Sequence, residues 1–198
     1  GGFSFASVLW GELRLTLRGR ARWWYLTCVG AAVACAVAPL DIARTLAVPI
    51  TLLLALTVWG DIGARERRHR TGEIVFVTGG PVRLLTASYL VGAVAGGLLV
   101  APALVRFAAA GAWPTVAGVA AGVLFLPATG AALGVWSARP RVFELGYLVV
   151  WYIGPMNNVR PLDYLATHAT GFTWPLVYLG LAVIAFGVAA AGRRHRWG

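Results

Sequence analysis

A chain of 198 residues that is 59% hydrophobic and 12% charged, with a mean hydropathy of +0.75, is far too apolar for a water-soluble domain, where about a quarter of residues carry charge. Its net charge of +10 comes from 17 basic residues, all of them arginine, against 7 acids. The arginines flank apolar runs and do not line a groove with stacking aromatics, which argues against a nucleic-acid partner and leaves the lipid bilayer as the expected surrounding.

In chain order, residues 1–22 are expected to form an amphipathic interfacial helix, an elbow ahead of a membrane domain. Between Ser4 and Arg22, Arg14, Arg18 and Arg22 recur every four residues on one face, with Leu9, Leu13 and Leu17 on another. Met156 is the single methionine, so Gly1 is expected to follow processing or to continue a longer chain, and no signal-peptide pattern opens the sequence.

A membrane crossing takes about 20 mostly apolar residues at about 1.5 Å each. Such runs lie at about 23–40, 42–60, 84–105, 113–136, 142–156 and 174–192. They predict an all-α membrane protein with six transmembrane helices over residues 23–192, followed by a basic cytoplasmic tail at 193–198. The fifth run, about 22 Å as a helix, fits a re-entrant segment by length alone. Charge placement decides for six crossings. With the N-terminus inside, Arg44, Arg106 and Arg160 fall outside, and the other 14 of the 17 arginines fall inside, those of the tail included. Both termini are therefore expected in the cytoplasm. A mid-span arginine would cost about 2.5–3.5 kcal/mol, against about 0.3–0.6 returned by each Leu or Val, which keeps arginines at the ends. Arg106 sits past its run, where its stem can snorkel to the surface. Glu144 is placed to pair with Arg141 one turn away, the alternative being a role in transport.

Catalytic and metal patterns fail. Cys28 and Cys35 are too far apart on one helix to bridge and read as small buried hydrophobes, while His69, His168 and His195 are scattered. The acid of the Asp61–Arg65 stretch lacks the further carboxylates that metal-assisted headgroup chemistry needs, and Thr78-Gly79-Gly80-Pro81 lacks the Lys and Ser/Thr of a phosphate loop. No enzymatic activity, metal or cofactor is expected. The spacings Gly92-x-x-x-Gly96, Gly118-x-x-x-Gly122 and Gly130-x-x-x-Gly134 are read as close helix packing.

The connection 61–83 between the second and third runs concentrates charge. Arg65, Glu66, Arg67, Arg68 and Arg70 are followed by Thr71-Gly72-Glu73, the apolar patch Ile74, Val75, Phe76 and Val77, and a Gly-Gly-Pro break. Four apolar residues cannot cross a bilayer, but they can seat a short helix on a partner protein, leaving the arginines for acidic groups there. Headgroup anchoring of a solvated charge run is the other reading of the same residues.

This pattern resembles that of ABC-2 type transporter permeases, in which R-E, G-T-x-E, an apolar patch and a Pro and Arg lead into a third span with a glycine. Here those elements are Arg65-Glu66, Thr71-Gly72-Glu73, Ile74 to Val77, Pro81, Arg83 and Gly92; Arg70 stands where the family often has glycine, and no lysine follows early in the third run. The resemblance implies a permease half in the bacterial plasma membrane that exports a substrate using ATP bound and hydrolysed by a separate ABC ATPase subunit. It implies that Arg65 to Val77 form a coupling helix for that ATPase, and that Arg14, Arg18 and Arg22 belong to the bracing interfacial helix. It also implies an outer re-entrant gate at 155–173 carrying Asn157, Asn158, Arg160 and Asp163, and a second permease half as partner. A secondary transporter or a membrane-embedded enzyme are the alternatives; matched broken helices would mark the first, and a carboxylate or histidine cluster the second.

Overall fold

The computed structural model describes residues 5–18, 20–62, 80–137, 139–168 and 171–197, and every regular element among them is helical. Helix α1 is Phe5–Leu17 and α2 is Arg22–Val37. After a turn at Ala38 and Pro39, α3 comprises Leu40–Ile42, a π-helical turn Ala43–Ala47, and Val48–Asp61. Helices α4 (Pro81–Ala109), α5 (Trp113–Ser137) and α6 (Pro140–Trp151) follow. A π-helical turn Tyr152–Met156 and a 3-10 turn Arg160–Leu162 then lead towards α7, Thr173–Trp197.

Among the described residues four stretches are long and apolar enough to cross a bilayer: Leu40–Gly60, Val82–Ala109, Trp113–Ser137 and Thr173–His195. The other two apolar elements are shorter because prolines end them. Helix α2 stops after 16 residues, before Pro39, and α6 gives way after 12 residues to the π turn that contains Pro155. Proline also explains the wide turn at the start of α3. Pro49 has no N–H and its ring would collide with the carbonyl of Thr45, so the helix opens to a π turn over those residues.

The helices run up and down. Trp24 Nε1 donates to Leu54 O and Arg20 to Thr57 O, setting α2 antiparallel to α3. Trp151 Nε1 reaches Pro49 O at 3.0 Å, while Glu144 lies against Gly60, so α6 runs antiparallel along the same α3. Helix α7 is parallel to α5, the pair with the most extensive packing, joined where Trp136 Nε1 donates to Val188 O. One end of the bundle therefore collects Arg20, Arg83, Arg139, Arg141, Arg193 and Arg194; the opposite end holds Arg44, Arg106 and Arg160.

Lipid offers helices no hydrophobic reason to associate, so close packing through small residues has to supply the attraction. Trp59, fully buried, is the clearest case. Its indole fills a notch in α4, where a Cβ at Gly96 would stand 2.7 Å from Trp59 Cζ2, and its Nε1 donates to Gly92 O at 3.0 Å. Its backbone carbonyl faces Gly130 of α5, 2.6 Å from where a Cβ would be. The glycine spacings thus pack an indole and a carbonyl.

Helix α1 packs on the first turns of α4. Glu12 is buried and accepts from Ser88 Oγ at 2.9 Å, and the Arg83 guanidinium lies 5.8 Å from the Phe5 ring. Arg14 and Arg18 are exposed, but the three arginines expected on one helix face do not share a helix. Arg18 lies past the end of α1 and Arg22 opens α2, because Ala21 is extended (φ −62°, ψ 146°) and turns the chain.

Candidate functional site

The residues expected to couple to an ATPase, Arg65, Glu66, Arg67, Arg68, Thr71, Glu73, Ile74, Val75, Phe76 and Val77, lie outside the described residues. Their flanks do not: Ile62 and Gly80 both belong to the arginine-rich end, at the close of α3 and the start of α4.

At the opposite end the chain between α6 and α7 folds back on itself as a cap. Val159 N–H donates to Gly154 O at 3.2 Å, and the two arms approach so closely that a Cβ at Gly154 would stand 2.0 Å from Leu162 O. Only glycine fits there. Asn157 and Asn158 form the exposed tip; Asn158 has φ 57°, a left-handed conformation that asparagine tolerates, and the Asn157 amide donates to Tyr152 O.

The second arm is buried. Tyr164 and Leu165 are fully enclosed, and their backbone lies on Gly118 and Gly122 of α5, where a Cβ at Gly118 would come within 2.4 Å of Leu165 O. This glycine pair seats a non-helical strand of chain instead of a helix. Tyr178 Oη holds the arm by donating to Pro161 O at 2.8 Å, and Tyr164 Oη donates to Tyr147 Oη at 3.0 Å. Tyr147 in turn stacks on Phe143 and meets Trp59 edge-on, so a line of rings runs from α3 to the cap. Burial pushes the Tyr164 hydroxyl well above its ordinary ionisation range, and the neighbouring Tyr147 and the Asp163 charge push the same way.

Asp163 is the polar centre of this arm. It is 3% exposed; Oδ2 accepts from Thr167 Oγ1 at 2.8 Å, while Oδ1 has no hydrogen-bond partner among the described residues. Beside it lies a cleft of about 330 Å³, lined by Arg160, Asp163, His168, Thr173 and Trp174 among others. The structure thus brings Arg160 and Asp163 to one cleft and leaves Asn157 and Asn158 on the tip. His168, Thr173 and Trp174 were not legible as site residues, because a hydroxyl, an exposed imidazole and a helix-start tryptophan carry no spacing signal. The residues lining the cleft carry a guanidinium, an imidazole, a hydroxyl and an indole, with the Asp163 carboxylate almost wholly buried among them.

Arg106 does more than snorkel. Its Nη1 donates to Cys35 O at 3.0 Å and Ala38 O at 2.7 Å, meeting carbonyls that the end of α2 leaves free. Glu144 does not take the partner its spacing suggests: among the described residues no ion pair joins it to Arg141, and its Oε1 is 3.1 Å from a Cβ position on Gly60, drawn towards α3. Among the described residues no three His, Cys, Asp or Glu side chains converge to hold a metal. No protein-family model matches the chain, and no match is found among the curated proteins or the solved structures.

Proposed function

We propose that the chain is the permease half of an ATP-binding cassette exporter in a plasma membrane, working with a separate ATPase subunit and a second permease half. In this reading α2, and α6 with its π turn, cross the bilayer alongside the four longer stretches, making six spans. Helix α1 lies at the inner interface, and both termini are cytoplasmic.

The supporting observation is where one sequence pattern falls. Arg65-Glu66, Thr71-Gly72-Glu73, the patch Ile74–Val77, Pro81 and Arg83 occupy the connection whose flanks, Ile62 and Gly80, share the end of the bundle that carries Arg20, Arg139, Arg141, Arg193 and Arg194. By the positive-inside rule that end faces the cytoplasm, where an ATPase would be. The ATPase would act as a ligand that binds one arrangement of the helices better than another and so shifts their populations during its cycle.

Co-purification tests this reading. With Ile74–Val77 replaced by serines, an ABC ATPase subunit that co-purifies with the native chain should be lost from the detergent-solubilised complex; undiminished recovery, or a native chain that retains no ATPase, would refute the coupling role. A cysteine placed at Asn158, in a chain carrying Cys28→Ala and Cys35→Ala, should react with an impermeant maleimide added outside intact cells, and labelling from inside alone would refute the six-span topology.

A further inference from the structure

A groove of about 310 Å³ opens on the side of the bundle between α2, α3 and α4. Its lining on α2 goes from Trp24 to Ala32, about 12 Å of helix. Buried Ala55 and Val58 of α3 form the floor, while Val29 of α2 and Val94 and Leu98 of α4, all more than half exposed, form the rims. Rims of that kind leave the groove open sideways, and in a bilayer the medium at that side is hydrocarbon chain. One end of the groove meets the turn between α1 and α2. Leu13 of α1 lines it there, and Arg20 lies across the same end: its guanidinium carbon is 5.6 Å from the ring centre of Trp24, and Nη2 donates to Thr57 O, next to Val58, at 3.1 Å. Arg14, in the last turn of α1, and Arg22, the first residue of α2, are exposed. Between Phe5 and Val37 four arginines stand against one acid, Glu12, so this turn stays positive whatever Glu12 pairs with. An apolar trough with a cationic end is the complement of an amphiphile that has an anionic head.

We propose that the groove holds one acyl chain of an anionic phospholipid from the leaflet at the arginine-rich end, with the headgroup against Arg20. Arg14 and Arg22 add positive potential at the same level, each arginine near an anionic lipid surface being worth about fivefold in affinity. A zwitterionic lipid with the same chains can enter the groove too, but its own cation cancels the phosphate charge, so the arginines favour a net negative headgroup. The bound chain fills the space between three helices with dispersion contacts and so stabilises the fold. The proposal needs a bilayer around the helices and is independent of any transport role for the chain.

The test uses the full chain in detergent micelles, with bound lipid counted by native mass spectrometry during titration. The probes are dioleoyl phosphatidylglycerol and dioleoyl phosphatidylcholine, which share their chains. The anionic lipid should bind saturably and at least about tenfold more tightly than the zwitterionic one. Ala32→Phe, which fills the groove, should weaken both by about tenfold, whereas Val183→Phe on the exposed face of α7 should change neither. Arg20→Gln should lower the preference for the anionic lipid about fivefold, and Arg20→Lys, which keeps the charge, should restore most of it. If Ala32→Phe or Arg20→Gln fails to fold, competition on the native chain decides: single-tailed lysophosphatidylglycerol should displace the bound lipid, and tail-less glycerophosphoglycerol should not. Equal affinity for the two lipids, equal loss in Ala32→Phe and Val183→Phe, or displacement by the tail-less headgroup would overturn the proposal. So would an Ala32→Phe chain that binds lipid as before and turns from dimer to monomer, which would put a second copy in the groove.

Discussion

The two ends of the bundle finish their helices in different ways. At the arginine-rich end, helix termini are dressed with long cationic side chains that suit water or lipid headgroups, and α1 packs beside them through Glu12 and Ser88. At the other end the chain itself is the cover: it folds back at Gly154, lays its backbone on Gly118 and Gly122, and buries Asp163 and Tyr164. A side-chain finish spreads the task over several residues, some of them, like Arg20 and Arg193, packed against the helices. A backbone finish depends on a few glycines that must stay glycine.

Substitutions can break or sharpen that contrast. The largest effect is expected at Trp59, which ties both halves together: Trp59→Ala should cost about 3–5 kcal/mol in reversible denaturation in micelles, because the glycine notch around it cannot collapse. Next is Gly118→Val, expected to cost about 3 kcal/mol by driving side-chain carbon into Leu165 O. It should expose a cysteine placed at the buried Thr167 to maleimide while leaving the arginine-rich end unchanged. Gly146→Ala and Gly180→Ala, with nothing near the new methyl, should be neutral or slightly stabilising; equal damage at all three would show that the glycines act through helix propensity and not by seating the cap.

Smaller effects follow at the cap's edges. Arg106→Met should cost about 2 kcal/mol, the loss of charged hydrogen bonds to Cys35 O and Ala38 O, and Arg106→Lys should restore part of it in the same measurement. Tyr164→Phe should cost about 1 kcal/mol by removing the bond to Tyr147. Its pH signature is sharper. Because burial raises the Tyr164 ionisation range in the fold, the unfolded chain gives up that proton first, from about pH 10, so this stabilisation is complete below that pH and declines as the pH climbs past it. The fall in thermal midpoint between about pH 8 and pH 11 should therefore be smaller in Tyr164→Phe than in the native chain.

Composition and run length made the helical class and the presence of long apolar helices legible, because a bilayer imposes both. What escaped has physical causes. The spacing Gly118-x-x-x-Gly122 signals close approach but says nothing of what approaches, and here it is irregular backbone. Glu144 pointed by spacing to Arg141, yet packing across α3 takes precedence over a neighbour one turn away. Arg106 was placed at a surface from helix length, but the carbonyls it meets lie 71 and 68 residues away in sequence, beyond any local pattern. Asp163 and Arg160 could be named as candidates, whereas the cleft they share with Trp174 depends on how the turn packs.

The indole notch has a mechanical corollary. Sliding α3 along α4 would drag Trp59 across Gly92 and Gly96 and break its bond to Gly92 O, so the two helices must travel as one lever. Ile62 and Gly80 therefore stand at the ends of two helices locked to each other, so a displacement of either end is carried to the other.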